Sequence, residues 1–310
     1  AMGGPGYTDY EVLLKAGVDF VCEGEGELTI IDLIKNIQSN KSDWSIVDGI
    51  SYVQNGEIIV NKRREQVKNL DNLDFPLRDN FIPPTVYHDY HLPGFRAPYI
   101  GMLTNRGCPR RCSFCDSPNI WDQTVRHRSV DNVMEEIDYA VDKWKIRYID
   151  FVDDIFGINH RWTEEFANKL IERNYDLKFK ILMNPSSFGK RQDKIVRLLT
   201  KAGLDTVGIG VQTADDQMLT KIRRKGEGKE QLKDLVKSCR KNGVLSFANF
   251  ILGMPGKEIH TAAKKIKDLL DEVRPLVMDC YPYVLLRGTE IDIDVKEGRS
   301  ELMYDYETRF

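Results

Sequence analysis

What is missing from this 310-residue chain narrows its reading before any motif is considered. No apolar run approaches the ~20 residues that a membrane-spanning helix needs. There is no basic excess: Lys and Arg number 45 against 48 Asp and Glu, a formal net charge of −3, so nothing implies a nucleic-acid partner. The N-terminus has no charged region followed by an apolar stretch, and no signal peptide is visible. Ala1-Met2 reads as a cloning remnant, which would place the natural start further upstream. Histidine is scarce, and His88, His91, His127, His160 and His260 make no i,i+4 metal pair on a helix. Tyr87-His88-Asp89-Tyr90-His91 reads as solvated connector in preference to a substrate wall or axial ligand. No repeat of 20–50 residues and no low-complexity tract is present.

A disulfide framework is missing too. The six cysteines are Cys22, Cys108, Cys112, Cys115, Cys239 and Cys280, and three of them fall within eight residues. Disulfide cysteines would be spread along a short secreted chain. This clustering points to metal binding in a reducing compartment, and hence to the cytoplasm. Hydrophobic residues at 41% and charged residues at 30% are an ordinary globular balance. The length suits one large domain, or a medium one with an appendage.

Three regions separate along the chain, followed by a short extension. Residues 3–68 hold a Gly-rich start, a helix over Leu28–Ile34, and a hairpin pairing Gly49–Val53 with Glu57–Val60 across Asn55-Gly56. Residues 69–98 are a Pro- and aromatic-containing linker. From Tyr99 to Glu290 strands and helices alternate. The strands are read at Tyr99–Thr104, Tyr148–Val152, Phe179–Met183, Thr206–Val211, Leu245–Leu252 and Met278–Leu285. The helices are read at Val130–Trp144, Trp162–Arg173, Lys194–Ala202, Lys229–Asn242 and Thr261–Val273, with Gly203 and Gly243 as left-handed caps. Alternation implies βαβ units, a parallel sheet and an incomplete six-unit barrel with its site at the C-terminal strand ends. Residues 291–310 form a C-terminal extension.

Behind the first of these strands lies Asn105-Arg106-Gly107-Cys108-Pro109-Arg110-Arg111-Cys112-Ser113-Phe114-Cys115, with spacing C-x3-C-x2-C. Three thiolates can hold an iron–sulfur cubane and leave its fourth iron open, much as a catalytic zinc keeps one free position. Gly107 and Pro109 suit a loop wrapped tightly round such a body, and Arg106, Arg110 and Arg111 would offset its charge. A structural zinc site completed by His127 is the plainer alternative, but paired C-x2-C knuckles or a Cys/His second half are absent. A ferredoxin would need a fourth cysteine.

This motif, at the end of the first strand of a βα repeat, resembles the radical S-adenosylmethionine superfamily. The resemblance covers about 190 residues, Tyr99 to Glu290. It implies a partial (β/α)6 TIM-like barrel in which Cys108, Cys112 and Cys115 hold a [4Fe–4S] cluster. S-adenosylmethionine would bind the open iron and be cleaved reductively to a 5′-deoxyadenosyl radical, in an oxygen-sensitive reaction fed by a reductant such as flavodoxin or ferredoxin. Phe114 matches the aromatic position near the adenine.

By the same resemblance, Asp153 or Asp154 would bind the methionine amino group, a charge-assisted contact that suits a carboxylate; the alternative is a helix N-cap. Asn184-Pro185-Ser186-Ser187 ends the third strand, as a polar site wall or a simple turn. Gln212 resembles the acid or amide that contacts the ribose or methionine part. The stretch Asp216, Leu219, Ile222-Arg223-Arg224-Lys225-Gly226 matches the same branch and the methylthiotransferases. Gly253-Met254-Pro255-Gly256-Lys257-Glu258 resembles the family's adenine-side turn, with Gly253, Pro255 and Gly256 carrying the match. Cys280 is read as a buried structural cysteine, and alternatively as a radical relay.

At the front, Gly3-Gly4-Pro5-Gly6, the run Gly17 to Glu27 and the linker Asn69–Pro76 resemble the last elements of the cobalamin-binding domain fused to many such enzymes. The chain therefore reads as an α/β protein whose small N-terminal α/β part, residues 3–68, is either a remnant of that domain or a small cap on the barrel; cobalamin binding is an expectation for a longer protein and not for this chain. The expected activity is radical chemistry at an unactivated carbon of a small molecule: methylation, cyclisation or rearrangement. The competing classes are a methylthiotransferase-like enzyme and a non-catalytic iron–sulfur module.

Overall fold

The structure is a computed structural model that describes residues 2–4, 10–39, 43–80, 98–256 and 259–301. His88, His91, Pro5, Gly6, Lys257, Glu258, most of the linker and the last part of the C-terminal extension lie outside the described residues.

The N-terminal part is a four-stranded sheet in the order β1-β2-β3-β4, formed by β1 (Met2–Gly4), β2 (Phe20–Glu23), β3 (Ile50–Gln54) and β4 (Glu57–Val60). β1 and β2 are parallel, and the rest is antiparallel. Asn55 and Gly56 both have positive φ, 52° and 81°, as a two-residue hairpin turn requires. Two helices complete this part, α1 (Tyr10–Lys15) and α2 (Gly26–Gln38). α2 runs past the expected Leu28–Ile34 at both ends, and Leu33 packs with Val47, Ile50 and Tyr52.

The larger part is a six-stranded sheet, all parallel, in the order β12-β11-β10-β9-β8-β5. Its strands are β5 (Tyr99–Met102), β8 (Tyr148–Phe151), β9 (Lys178–Met183), β10 (Leu204–Gln212), β11 (Leu245–Leu252) and β12 (Val277–Pro282). The long helices are α4 (Val130–Trp144), α5 (His160–Arg173), α6 (Gln192–Ala202), α8 (Lys229–Lys241) and α9 (Ile259–Val273). The first strand stops two residues short of the expected Thr104, and β12 stops at Pro282 instead of running to Leu285. Four shorter elements were not expected: the antiparallel pair β6 (Asn105–Arg106) and β7 (Arg126–His127), and the helices α3 (Ser117–Trp121) and α7 (Asp216–Lys221). A last short helix, α10 (Glu290–Lys296), opens the C-terminal stretch.

Alternation along the strands separates the two faces of the sheet. Ile149, Phe151, Phe179, Ile181, Val207, Ile209, Ala248 and Phe250 enter one core with the buried faces of the five long helices. Phe166 stacks on Trp162 at 5.3 Å and meets Phe151 edge-on at 5.6 Å, an arrangement worth about 0.5–1.5 kcal/mol per pair beyond area burial. The alternate positions carry Gly101, Asp150, Lys180, Gly208, Gly210, Asn249 and Asp279. One face of the arc is therefore a hydrophobic seam under helices, and the other mixes these small, polar and charged residues with Leu182, Phe247 and Ile251. The second face leads to the strand ends where the cysteines lie.

Candidate functional site

The cysteine loop hangs from β5 by a set of buried polar contacts. Beyond Met102 the chain is held by Asp153, which is fully buried and accepts the Thr104 N–H at 2.7 Å, the Thr104 hydroxyl at 2.5 Å and the Asn105 N–H at 3.1 Å. The Arg128 N–H bonds Thr104 O at 2.9 Å, and β6 pairs with β7, so the two ends of the loop are zipped together. At the crossing point Gly107 has φ of 101°, and a Cβ there would stand 2.0 Å from the Thr124 carbonyl oxygen. Only glycine fits.

Inside this frame Cys112 is buried while Cys108 and Cys115 are half-buried. Each sulfur has one N–H aimed at it. The Ser117 N–H donates to Cys115 Sγ at 3.4 Å, the Arg110 N–H to Cys108, and Arg224 Nη1 lies 4.0 Å from Cys112 Sγ. Burial pushes the Cys115 thiol up to about 11, and Cys112, Asp154 and Cys108 add to the rise. Burial raises Cys108 as well, and Cys112 and Asp154 add to that rise. Thus the three sulfurs and the Asp154 carboxylate share one electrostatic neighbourhood.

Among the described residues, no three His, Cys, Asp or Glu side chains are grouped to hold a single metal ion. A tetrahedral zinc with ~2.3 Å Zn–S bonds needs its thiolates within about 4 Å of each other. His127 is half-buried, packs 6.0 Å from the Trp162 ring and belongs to no such group. Three thiols from one loop, each with an N–H donor, fit the ligand chemistry of an iron–sulfur cluster, whose potential such bonds help to set.

Asp153 and Asp154, inseparable in the sequence, part here. Asp153 turns inward to the loop. Asp154 takes a hydrogen bond from the Ser117 hydroxyl at 3.2 Å, and although the residue as a whole is open to solvent, desolvation by the atoms packed round its carboxyl raises it. Neither is an N-cap: Asn159 caps α5, accepting the Trp162 N–H at 3.1 Å.

The other strand ends converge on the same region. The β10 ladder shifts register between Gly210 and Gln212. Val211 O accepts the Thr213 N–H at 2.9 Å across Gln212, whose φ is 69°, so the chain makes a strained γ-turn there. A Cβ on Gly210 would lie 2.8 Å from Gln212 Nε2 and 3.5 Å from Asn184 Oδ1, which places Gln212 beside the end of β9. Phe114 packs on an apolar cluster of Met218, Leu219, Ile222, Met254, Tyr283 and Ile291. Met254 lies in the turn after β11, where Gly253 and Gly256 each have φ of 84° and the Pro255 carbonyl accepts Lys221 Nζ at 3.3 Å.

A family model for the radical SAM superfamily matches residues 102–269, more than half of the chain. The chain belongs to the radical SAM superfamily. Its curated relatives include an uncharacterized methyltransferase of Pyrococcus horikoshii, 28% identical over 288 residues that are 91% of this chain and 60% of that protein. Another is the anaerobic magnesium-protoporphyrin IX monomethyl ester cyclase of Rubrivivax gelatinosus, 25% identical over 83% of this chain and 46% of that one. The chain thus spans about half the length of the curated relatives it matches. Its fold is that of the radical SAM methyltransferase TsrM from Kitasatospora setae, solved with cobalamin and a [4Fe–4S] cluster, at TM-score 0.76 and 19% identity over 96% of this chain and 57% of that one.

For this radical SAM protein, the sequence expectation for the arginines needs correction. Arg106 does not stand free to offset charge at the sulfurs, whereas the charge of Arg110 does favour the Cys108 thiolate while it is shared with Glu227. Arg106 pairs with Glu25 at 2.6 Å and with Glu27, and Arg110 pairs with Glu227 at 2.5 Å; Arg111 is exposed. A further guanidinium, 4.0 Å from Cys112 Sγ, belongs to Arg224, which the sequence had placed only as part of a branch motif. Cys280 pairs in register with Phe250 and packs against the core under the helices, so it faces away from the polar side of the sheet and is no relay.

Two further pairs carried no sequence signal strong enough to find them. Glu25 accepts from Arg126 at 2.9 Å and from the Val67 N–H at 2.7 Å, tying the N-terminal sheet to the cysteine loop. Asp150 and Lys180, matched in register on the polar face, form an ion pair at 3.2 Å. The run Glu23-Gly24-Glu25-Gly26-Glu27 held a hint of the first pair, since acidic residues between glycines lie where backbone approaches closely.

Proposed function

We propose that Cys108, Cys112 and Cys115 hold a [4Fe–4S] cluster whose fourth iron takes S-adenosylmethionine, and that the protein acts on a small-molecule substrate by radical chemistry. The observation that carries this reading is the set of three thiols on one loop, each with its own N–H donor. Bound there, cluster and S-adenosylmethionine supply reductive cleavage of the sulfonium and a 5′-deoxyadenosyl radical able to remove hydrogen from an unactivated carbon.

The chain's own residues take distinct parts. Asp154 faces the cysteines and offers a carboxylate to an ammonium group, whereas Asp153 holds the loop and meets no ligand. Gln212, thrown out of the strand by its γ-turn, presents an amide that can both donate and accept. Phe114 and the Gly253-Met254-Pro255-Gly256 turn form an apolar wall suited to a purine face. The polar side of the sheet, with Asp150, Lys180, Asn249 and Asp279, receives the substrate.

Methylation or cyclisation is the outcome in this reading, by analogy with the named relatives. Residues 3–68 act as part of a cobalamin-binding-type domain in the full protein, followed by the linker 69–98, the barrel 99–290 and an extension. A flavodoxin- or ferredoxin-like reductant delivers the electron in the cytoplasm. Anaerobic reconstitution with iron and sulfide, then reduction with S-adenosylmethionine, tests the proposal. It expects about four irons per chain and release of 5′-deoxyadenosine, both lost in Cys112→Ala. A cluster-loaded protein that releases none under reductant sinks the enzymatic reading.

A further inference from the structure

Behind Cys112 lies a buried charge network that the proposed chemistry has not used. Arg224 and Glu227 are 3% and 2% exposed and form an ion pair through Arg224 Nε. Glu227 also holds Arg110 at 2.5 Å and accepts from the Ser186 hydroxyl at 2.7 Å. Two guanidinium groups thus share one carboxylate, and the cluster of side chains keeps a net positive charge. Arg224 spends its other nitrogens on two separate elements: Nη2 donates to Gly210 O at 2.5 Å, and Nη1 faces Cys112 Sγ at 4.0 Å. A second link runs alongside, from the Ser113 N–H to Ile222 O at 3.4 Å.

A planar guanidinium can satisfy a carboxylate on one edge and two acceptors on another; an ammonium on a flexible stem cannot. The fork therefore fixes Cys112 against the end of β10, two residues before Gln212. It also places a positive donor beside one sulfur in a site from which water is largely excluded, where such a charge acts strongly. Hydrogen bonds to cluster sulfurs and local net charge are the levers by which proteins set iron–sulfur potentials.

We propose that Arg224 is a positioning residue that holds Cys112 against β10 and raises the reduction potential of the cluster through that sulfur, with Glu227 limiting how much of its charge reaches it. The inference rests on Cys112 being a cluster ligand.

The test is a redox titration of the reconstituted full-length protein, with iron and sulfide content and the electron paramagnetic resonance spectrum of the reduced form as controls. Arg224→Met is expected to shift the midpoint potential to more negative values, and Arg224→Lys to shift it less in the same direction. Glu227→Gln, which removes the counter-charge, is expected to shift it to less negative values. A merely structural network would not give shifts of opposite sign. Should Arg224→Met fail to take up iron, Arg224→Lys and Glu227→Gln decide on sign alone. Normal loading with unmoved potentials, or shifts of the same sign, overturns this inference and leaves the ligand assignment standing. A full cluster in Cys112→Ala overturns the assignment, and the inference with it.

Discussion

The Asp153 carboxylate accepts the Thr104 N–H at 2.7 Å while its neighbour Asp154 turns to the Ser117 hydroxyl, so two adjacent acids serve opposite sides of one strand end. Burial pushes Asp153 up to about 7, and the donors from Thr104 and Asn105 offset only part of that rise. An unfolded Asp titrates near pH 4, so between about pH 4 and 7 the native state binds a proton that the unfolded chain releases. The stability from this group is full below about pH 4 and is lost as pH rises through about 7. Asp153→Asn imitates the protonated acid. It is expected to come nearest the wild type in a urea melt at about pH 3.5 and to exceed it by a margin that grows up to pH 8. Asp153→Ala, which strands two buried N–H groups, is expected to cost about 2–4 kcal/mol at about pH 3.5 and less at pH 8, where the wild type has lost this group's contribution. A gap between wild type and Asp153→Asn that does not change with pH contradicts this account.

Gly107 makes a sharper prediction. Its φ of 101° is one that side chains rarely adopt, and a Cβ would overlap the Thr124 carbonyl at 2.0 Å. Backbone strain of about 1–3 kcal/mol therefore adds to a collision with immobile backbone. Gly107→Ala is expected to lose more than about 3 kcal/mol in equilibrium unfolding and to bind less than half the wild-type iron. A variant with both intact would mean that the loop is not held as described.

Much of this fold was legible because local and long-range signals agree. α4 begins and ends on the residues read for it, since Ser129 caps it through the Asn132 N–H and Lys145 closes it in a left-handed conformation. The sixth strand was overread because Val284 and Leu285 continue an apolar run beyond Pro282, the last residue of β12. β6 and β7 are two residues each and exist only because the loop between them is pinned at both ends; no periodicity can announce so short a pair. The cysteines declare themselves by spacing alone. Arg224 could not: it meets Cys112 across 112 residues of chain, and its neighbours Arg223 and Lys225 look the same in sequence. Asp153 and Asp154 were ambiguous because a strand end leaves the alternation of faces undefined.

Glu25 gives a pH dependence of opposite sign. Burial pushes its carboxyl up, but bonds from Arg126, Arg106 and the Val67 N–H outweigh this and hold it below the usual carboxylate range. Its contribution is present above the unfolded value of about 4.3 and is lost as pH falls through the lower folded value. Glu25→Ala would leave Arg106 and Arg126, both largely buried, without their main partner, at a cost of about 3–5 kcal/mol. Limited proteolysis should then cut between residues 3–68 and the barrel sooner than in the wild type. Unchanged protection would show that other contacts, such as Arg63 with Asp122, hold the two parts together.

Cys280 separates packing from chemistry. It sits opposite Phe250 in β12 and contributes to the core beneath the helices, and burial raises its thiol rather than activating it. A radical relay must face the reacting carbon and exchange a hydrogen atom with it; a thiol on the helix side of the sheet cannot. Cys280→Ala is therefore expected to lose about 1 kcal/mol or less, since the side chain is only partly buried and the volume removed is small. Iron content and the yield of 5′-deoxyadenosine per cluster should stay within twofold of the wild type. Cys280→Ser, which keeps the shape but puts a hydroxyl against the core, should be the less stable of the two. A loss of 5′-deoxyadenosine or product of tenfold or more in Cys280→Ala, with the cluster intact, would place this residue on the polar face and require β12 to be shifted by one residue against β11.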